Sequence, residues 1–525
     1  MTYIIFASFF VIGNLINIWL KNNKTINVLI GFAVIWPIFF SISSFYTHNF
    51  AVVSTVYLLL LIAGFIYMIK SKSFIRVFLI SLGAGIILFL LGLIVQFHGD
   101  LDSKNYLVAM TRINFDSWGL VCDKVIGIVG MADHHYYNRL SYIGYGWVHN
   151  IFLVPLEPQT AYVQSLFFYI LGLIILVRVI ASFIRKHLSV VESFSLFVMA
   201  VGIVGSYVFY SANWGQMNQS FSFLLSVVTI YLFFVENQNK TLLVLLSSVI
   251  SILILFSYTE YYFIWLMLYF CLLGTNVGSF APKIRVALVL APLSILPVLL
   301  PNFNVYYNFF FGQVNVNLVV NLIESPIPRY GLIYYFFQFF QPSDYLGAIS
   351  NNIPEVRNIL VNIMPILFFW IMYSFANKLP VNNRRKYYNQ FLIFGIVVYL
   401  SLYLYILTRN LVINYQVFKY SGWTSWIVLL FLFIFLVSLN LKKQIPKLLL
   451  GLFFILVASR VFNMIGLYSR VRSNTAPEVV NPQSLDVKNI EGKCIVYFNK
   501  DYIQTSVTLG KYLVEKNDCV CEREL

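Results

Sequence analysis

The sequence predicts an all-α polytopic membrane protein of about fourteen transmembrane helices, followed by a small extracytoplasmic α/β tail. Three observations lead there. The chain of 525 residues is 60% hydrophobic and only 10% charged, far from the balance of soluble domains. Apolar stretches near span length recur from the N-terminus to about residue 467, so no soluble catalytic domain fits ahead of the tail. Lys and Arg gather in every second short connection. This pattern excludes a cytosolic kinase, a nucleic-acid enzyme and a secreted disulfide scaffold.

The spans read at roughly 3–20, 26–45, 50–69, 77–97, 161–179, 191–210, 218–235, 242–257, 260–276, 284–300, 358–376, 390–408, 422–440 and 447–467. The first follows Met-Thr-Tyr with no basic n-region and no cleavage site, so it reads as a retained span and not a signal peptide. Residues 1–76 form an N-terminal three-helix membrane segment, 77–467 a transmembrane core with outer loops 98–160 and 301–357, and 468–525 a small tail domain.

Orientation follows from the basic residues. With the N-terminus outside, the cytosolic connections carry Lys21, Lys70, Arg76, Arg185, Lys186, Lys240, Lys283, Arg384 and Lys443, among others. Both termini are then extracytoplasmic. The net charge of +15, from 35 basic against 20 acidic residues, serves this orientation and requires no nucleic-acid partner. Acidic residues fall mostly outside, and the outer segments are the long ones, so the working surface faces outward. No cytosolic connection is long enough for a nucleotide-binding fold and no phosphate-cradling glycine loop appears, so ATP and nucleotide sugars are not expected as direct substrates. Five cysteines show no metal spacing and no disulfide framework.

The first outer segment opens with QFHGDLDSKNYLVAMTRINFDSWG, setting Asp100 and Asp102 at the membrane surface. From Ser103 onward, Tyr106, Leu107, Met110 and Ile113 recur at helical spacing, the pattern of an interfacial amphipathic helix. Asp102 then stands at a helix start, as a reactive carboxylate or simply as a cap. MADHHYYNRLSYIGYGWVHN adds His134, His135, Arg139 and a run of aromatic residues, suited to stacking on sugar faces and to holding phosphate, or to an ordinary aromatic belt. The two histidines are adjacent and point apart, so they make no metal site by themselves.

Two shorter outer turns follow. FYSANWGQMNQSF carries Trp214, Gln216 and Gln219, and SYTEYYF carries Tyr258 and Glu260. An acidic residue beside hydrocarbon is expensive, so Glu260 is either functional or paired with an Arg. Arg460, inside the last span, pairs or snorkels.

Together these features resemble the GT-C superfamily of polytopic glycosyltransferases, which take sugars from polyprenyl-phosphate carriers. The shared marks are a long outer loop entered by an Asp followed four residues later by an aromatic (Asp102 and Tyr106), a Tyr- and Trp-rich stretch before the next span, the N-W-G-Q-x-N-Q turn and the Y-x-E turn. The resemblance covers 77–467, and here the acidic loop follows the fourth span, whereas in that superfamily it usually follows the first. It implies an inverting transfer at the extracytoplasmic face of the plasma membrane. In such a transfer Asp102, or Asp100, accepts the proton of an acceptor hydroxyl on a glycan, lipid or protein as that oxygen attacks the anomeric carbon. Basic side chains stabilise the departing polyprenyl phosphate. Lys104, Arg112, Arg139, Arg329, Arg357, Arg409 and Lys419 are candidates, with Arg329 and Arg409 preferred by position or else acting as interfacial anchors. Tyr106, His134, His135, Trp214, Gln216 and Glu260 are expected to line the substrate site. No cofactor is assigned, and a divalent cation is left open.

Segment 301–357 reads as a lid or a passive loop. In the tail, VRSNTAPEVVNPQS reads as linker, KCIVYFNK as a strand, TSVTLGKYLVEKN as a helix and CVCEREL as a second strand, with a pairing of Cys494 to Cys519 or Cys521 open. Two competing functions are a polymerase or ligase of lipid-linked polysaccharide and a flippase or transporter. The Asn-, Lys-, Ile- and Phe-rich composition hints at an AT-rich bacterial genome.

Overall fold

The computed structural model describes residues 2–20, 26–35, 50–94, 158–184, 189–213, 217–234, 240–276, 280–296, 389, 392–398, 415–438, 444–475, 487–490 and 493–496. The described residues are almost entirely helical. In order they form α1 (Thr2–Gly13), α2 (Ile16–Leu20), α3 (Ile26–Ile35), α4 (Phe50–Lys70), α5 (Phe74–Ile94), α6 (Pro158–Ile184), α7 (Val190–Asn213), α8 (Met217–Phe234), α9 (Lys240–Ser257), α10 (Thr259–Asn276), α11 (Pro282–Leu290), a 3₁₀ turn (Ala291–Ile295), a helical piece at 392–398, α12 (Tyr415–Ser438) and α13 (Gln444–Thr475). The expected span at 358–376 lies outside the described residues, as do the loops 98–157 and 301–357.

Among the described residues two helices are long and apolar enough to cross a membrane, Phe74–Leu93 and Val163–Ile184. The first is apolar on both faces. Val77, Ala84 and Leu88 are buried, while Ile75, Leu79, Leu82, Ile86, Phe89 and Leu93 stand exposed. Its neighbour α4 exposes Leu59, Ile62, Ile66 and Ile69 in the same way. A water-facing helix would carry polar side chains on that stripe.

The first expected span is two helices. α1 ends at Gly13 and α2 restarts at Ile16, because the turn between them places buried polar side chains: Asn14 donates to Ser73 Oγ (2.9 Å), Asn17 to Asn14 Oδ1 (2.9 Å) and Asn27 to Asn17 Oδ1 (2.9 Å). This ladder ties α1, α2 and α3 to the α4–α5 turn. Where α1 crosses α3 the backbones touch, and a Cβ on Gly31 would collide with the Gly13 carbonyl. The N-terminal helices join the rest through rings, Phe6 and Phe32 packing on Phe167 of α6 at 4.8 and 6.1 Å between centroids.

The expected span 284–300 also changes character, from α11 to a 3₁₀ turn at Ala291, where Pro292 supplies no N–H. The Pro292 carbonyl accepts instead from Tyr262 Oη (3.3 Å) and Ser251 Oγ (3.2 Å). The last helix runs to Thr475, so the residues read as the start of the linker are its final turn; it stops just ahead of Pro477, whose ring disfavours helix at the residue before it. In the tail, β1 (Val487–Ile490) pairs antiparallel with β2 (Lys493–Val496), Val487 opposite Val496. β2 is the first half of the expected strand, and β1 was not anticipated. The helix and second strand expected further on, and any pairing of Cys494 with Cys519 or Cys521, lie outside the described residues.

Candidate functional site

The core around α6 to α10 is polar at one end. Gln164 and Ser165 near the start of α6, Ser211 in the last turn of α7, Asn218, Gln219, Ser220 and Ser222 at the start of α8, and Ser257 at the end of α9 are all buried. At the opposite ends of these helices the buried positions are mostly apolar, among them Val179, Ile180, Leu232, Phe233, Leu243 and Leu272, with Ser247 and Asn276 as polar exceptions, the latter donating to the Leu272 carbonyl of its own helix (2.9 Å). The orientation expected from the basic connections faces this end outward.

Hydroxyl pairs fasten it. Ser165 Oγ meets Ser220 Oγ at 2.8 Å between α6 and α8, and Ser222 Oγ meets Ser257 Oγ at 3.1 Å between α8 and α9. Deeper in, Trp265 Nε1 donates to Thr229 Oγ1 (3.0 Å). Aromatic rings close the fourth side, from α12: Trp423 lies edge-on to Tyr261 at 4.9 Å and Trp426 edge-on to Phe223 at 5.1 Å. Tyr258, between α9 and α10, adds a ring 6.4 Å from both Tyr261 and Trp423.

Not all of this polarity is used up within the described structure. Both amide atoms of Gln164, Gln219 Oε1, Ser211 Oγ, Ser226 Oγ, Tyr261 Oη and Trp426 Nε1 are buried and make no hydrogen bond there. The Tyr261 hydroxyl lies beside Ser226 and Trp426 but bonds to neither with ordinary geometry.

Of the residues expected in the site, Glu260 is placed on the backbone as the second residue of α10, at this same end. The connection holding Trp214 and Gln216 lies outside the described residues, though it joins Asn213 and Met217, where α7 and α8 meet the polar end. Asp100, Asp102, Lys104, Tyr106, His134, His135, Arg139, Arg329 and Arg409 also lie outside them. Gln164, Ser211, Trp423 and Trp426 went unremarked in the sequence. The signal for the first two was a polar residue inside an apolar run, which hydrocarbon tolerates only for a reason. Among the described residues no group of three His, Cys, Asp or Glu side chains could hold a metal ion.

A second constellation is built on Arg460 of α13. The side chain is 5% exposed and reaches into α7, where Nε donates to the Gly202 carbonyl at 2.7 Å and Nη2 approaches the Ile203 and Val204 carbonyls at 3.4 Å. Those acceptors are available because α7 breaks at Gly205 (φ 80°, ψ −174°), which interrupts the helical ladder. The guanidinium is therefore a cap, a positive group at the C-terminal end of a half-helix. Tyr169 of α6 is also buried, and its hydroxyl has no hydrogen bond among the described residues.

A comparison with protein-family models, with curated proteins and with solved structures finds no match.

Proposed function

We propose that the chain is an integral membrane glycosyltransferase of the GT-C kind with about fourteen spans, moving a sugar from a polyprenyl-phosphate carrier to a glycan, lipid or protein acceptor at the extracytoplasmic face of a bacterial plasma membrane. The observation that carries the reading is the collection of buried neutral hydrogen-bonding groups and Tyr and Trp rings at the end of the bundle reached by three outer connections. Segment 98–157 enters α6 at Pro158, just ahead of Gln164; the Trp214–Gln216 turn enters α8; and Glu260 opens α10. Exposed apolar stripes on α4 and α5 support the membrane setting, since they suit hydrocarbon and not water.

In the proposed reaction Asp102, with Asp100 as its rival, takes the proton of the acceptor hydroxyl while that oxygen bonds to the anomeric carbon. The bond from that carbon to the carrier phosphate oxygen breaks, with inversion, and the phosphate leaves carrying the electron pair. Lys104, Arg139, Arg329 and Arg409 are the basic groups proposed to meet that charge.

The test is purified full-length protein in liposomes, supplied either with a polyprenyl-phosphate sugar or with a nucleotide sugar alone. Transfer is expected only in the first case. Robust transfer from the nucleotide sugar without a lipid carrier would move the protein to another class.

One observation favours a second reading, a flippase or transporter for a lipid-linked glycan. Broken helices with exposed half-helix ends are a device of transport sites, and α7 is broken at Gly205. The carbonyls freed there are taken by Arg460, which stands where a transported cation would bind. Glycosyl transfer therefore remains the preferred reading.

A further inference from the structure

Three cations gather where α9 and α11 begin. The two helices run parallel with their starts side by side: Lys240, the first residue of α9, lies over the Phe280 ring just ahead of α11, 4.7 Å from its centroid. Further along, Ser251 Oγ donates to the Pro292 carbonyl (3.2 Å) and Ser294 Oγ to the Ser248 carbonyl (3.1 Å). Phe280 is 2% exposed and holds a second cation, since Arg285 Nε donates to its carbonyl at 2.7 Å. One buried residue thus fixes both charges. Lys283 stands exposed two residues before Arg285.

Helix stability does not explain these side chains, because a cation in a first turn works against the helix dipole. Membrane orientation calls for basic residues near this surface, but not for a buried ring and carbonyl that fix where they stand. Among the described residues only Nε of the Arg285 guanidinium is engaged, which leaves its two terminal amino groups for a ligand. Beyond the charges the surface turns apolar. Val286, Leu290 and Leu293 follow Lys283 at helical spacing on one face and are 59%, 51% and 49% exposed, and Leu245 of α9 is 50% exposed. From Lys283 to Leu293 the chain rises ~15 Å, about half of a hydrocarbon core of roughly 30 Å. A cationic head above an apolar face one leaflet long has the outline of a single phospholipid.

We propose that Lys240, Lys283 and Arg285 bind the phosphate of one anionic phospholipid, whose acyl chains lie along the Val286–Leu290–Leu293 face of α11. Charge selects the lipid class, since the three cations attract a net-negative headgroup and repel the ammonium of a zwitterionic one. The expected orientation puts this lipid in the cytosolic leaflet. The proposal needs the membrane setting and is independent of the glycosyltransferase reading.

The test is native mass spectrometry of the full chain, purified in a neutral detergent and titrated with phosphatidylglycerol or phosphatidylcholine. Wild type should retain one phosphatidylglycerol ahead of any phosphatidylcholine. Lys283→Gln changes an exposed side chain and leaves both Phe280 contacts in place. It should weaken that first lipid roughly fivefold, the equivalent of about 1 kcal/mol for one charge at a membrane surface. Adding Arg285→Gln should bring the loss to roughly 25-fold if the two charges act additively; the single variant keeps the test decisive where the second change disturbs the turn at Phe280. Lys70→Gln with Lys72→Gln removes two exposed charges from the α4–α5 turn and should leave the first lipid's affinity unchanged. Excess inorganic phosphate should not displace the lipid, because it has no chains to lie on α11. Equal retention of the two lipids or wild-type affinity in Lys283→Gln would overturn the site. So would an equal loss in the Lys70 and Lys72 variant, or displacement by inorganic phosphate.

Discussion

Arg460 and Gly205 are fitted to each other across the α7–α13 interface. A Cβ on Gly205 would collide with the Arg460 Nη2 atom, and the φ of 80° at Gly205 is what turns the Gly202, Ile203 and Val204 carbonyls toward that side chain. Each half explains the other. The broken ladder leaves backbone acceptors that must be satisfied in an apolar interior, and a buried guanidinium needs acceptors around it. Nearby, Gly202 lets α13 approach closely, since a Cβ there would come within 2.6 Å of the Val457 carbonyl.

Gly205→Ala should therefore destabilise the protein. The conformation alone costs a residue with a Cβ about 1–3 kcal/mol, and displacing Arg460 adds to it. A thermal-unfolding comparison of detergent-solubilised wild type and variant should show the variant melting clearly lower. Equal melting would mean that the break at Gly205 is not maintained.

Arg460→Met should be destabilising by about 1–3 kcal/mol, since it leaves the α7 carbonyls buried without their donor. Arg460→Lys keeps a charge but not the planar fork that reaches several carbonyls at once. It should recover part of the loss, and the order of unfolding temperatures should be wild type, Lys, Met. Met equal to wild type would remove the capping role.

Gly31→Val should separate α3 from α1. The crossing has no space for a side chain at Gly31, because the Gly13 carbonyl occupies it. Overpacking of this kind typically costs about 1–3 kcal/mol, and the Asn14–Asn17–Asn27 ladder beside it would be strained too. Lower membrane abundance and a lower unfolding temperature are expected, with Gly31→Ala milder than Gly31→Val.

Helix positions were legible where hydropathy alone decides them. The stretches expected at 50–69, 218–235 and 260–276 correspond to α4, α8 and α10 with only small shifts at their ends. What hydropathy cannot see is backbone direction. Gly205 reads as one more small residue in AVGIVGSY, and its positive φ is decided by Arg460, far along the chain. The interruption at Gly13–Asn14 was hidden in the same way, since Ser73 and Asn17 supply the partners that hold Asn14. In the candidate site, the helix starts carrying Gln219 and Glu260, and Tyr258 just ahead of the second, were legible because polar residues interrupt apolar runs there. Gln164 and Trp426 were not, because an isolated Gln or Trp in a span acquires meaning only from what packs against it. The loop residues from Asp100 to Arg139, with Arg329 and Arg409, lie outside the described residues and rest on the sequence alone.

Topology is testable independently of chemistry. With the basic connections in the cytosol, a reporter active only in the cytosol and fused after Leu525 should give no signal, and the same reporter placed between Arg384 and Tyr387 should give a strong one. The opposite result at either position would invert the membrane orientation, and with it the outward placement of the polar end.

The most direct test of the proposed reaction is transfer from a polyprenyl-phosphate sugar by Asp102→Asn and Asp100→Asn, each checked for normal membrane abundance. Asn caps a helix about as well as Asp but is no base, so a capping role survives the change and a catalytic one does not. Losing a general base lowers the rate by ~10² to 10⁴. The account predicts a loss of that size for Asp102→Asn at unchanged abundance, with Asp100 as its nearest rival. Near-wild-type transfer by both variants would contradict the carboxylate mechanism and bring the polymerase and transporter readings forward.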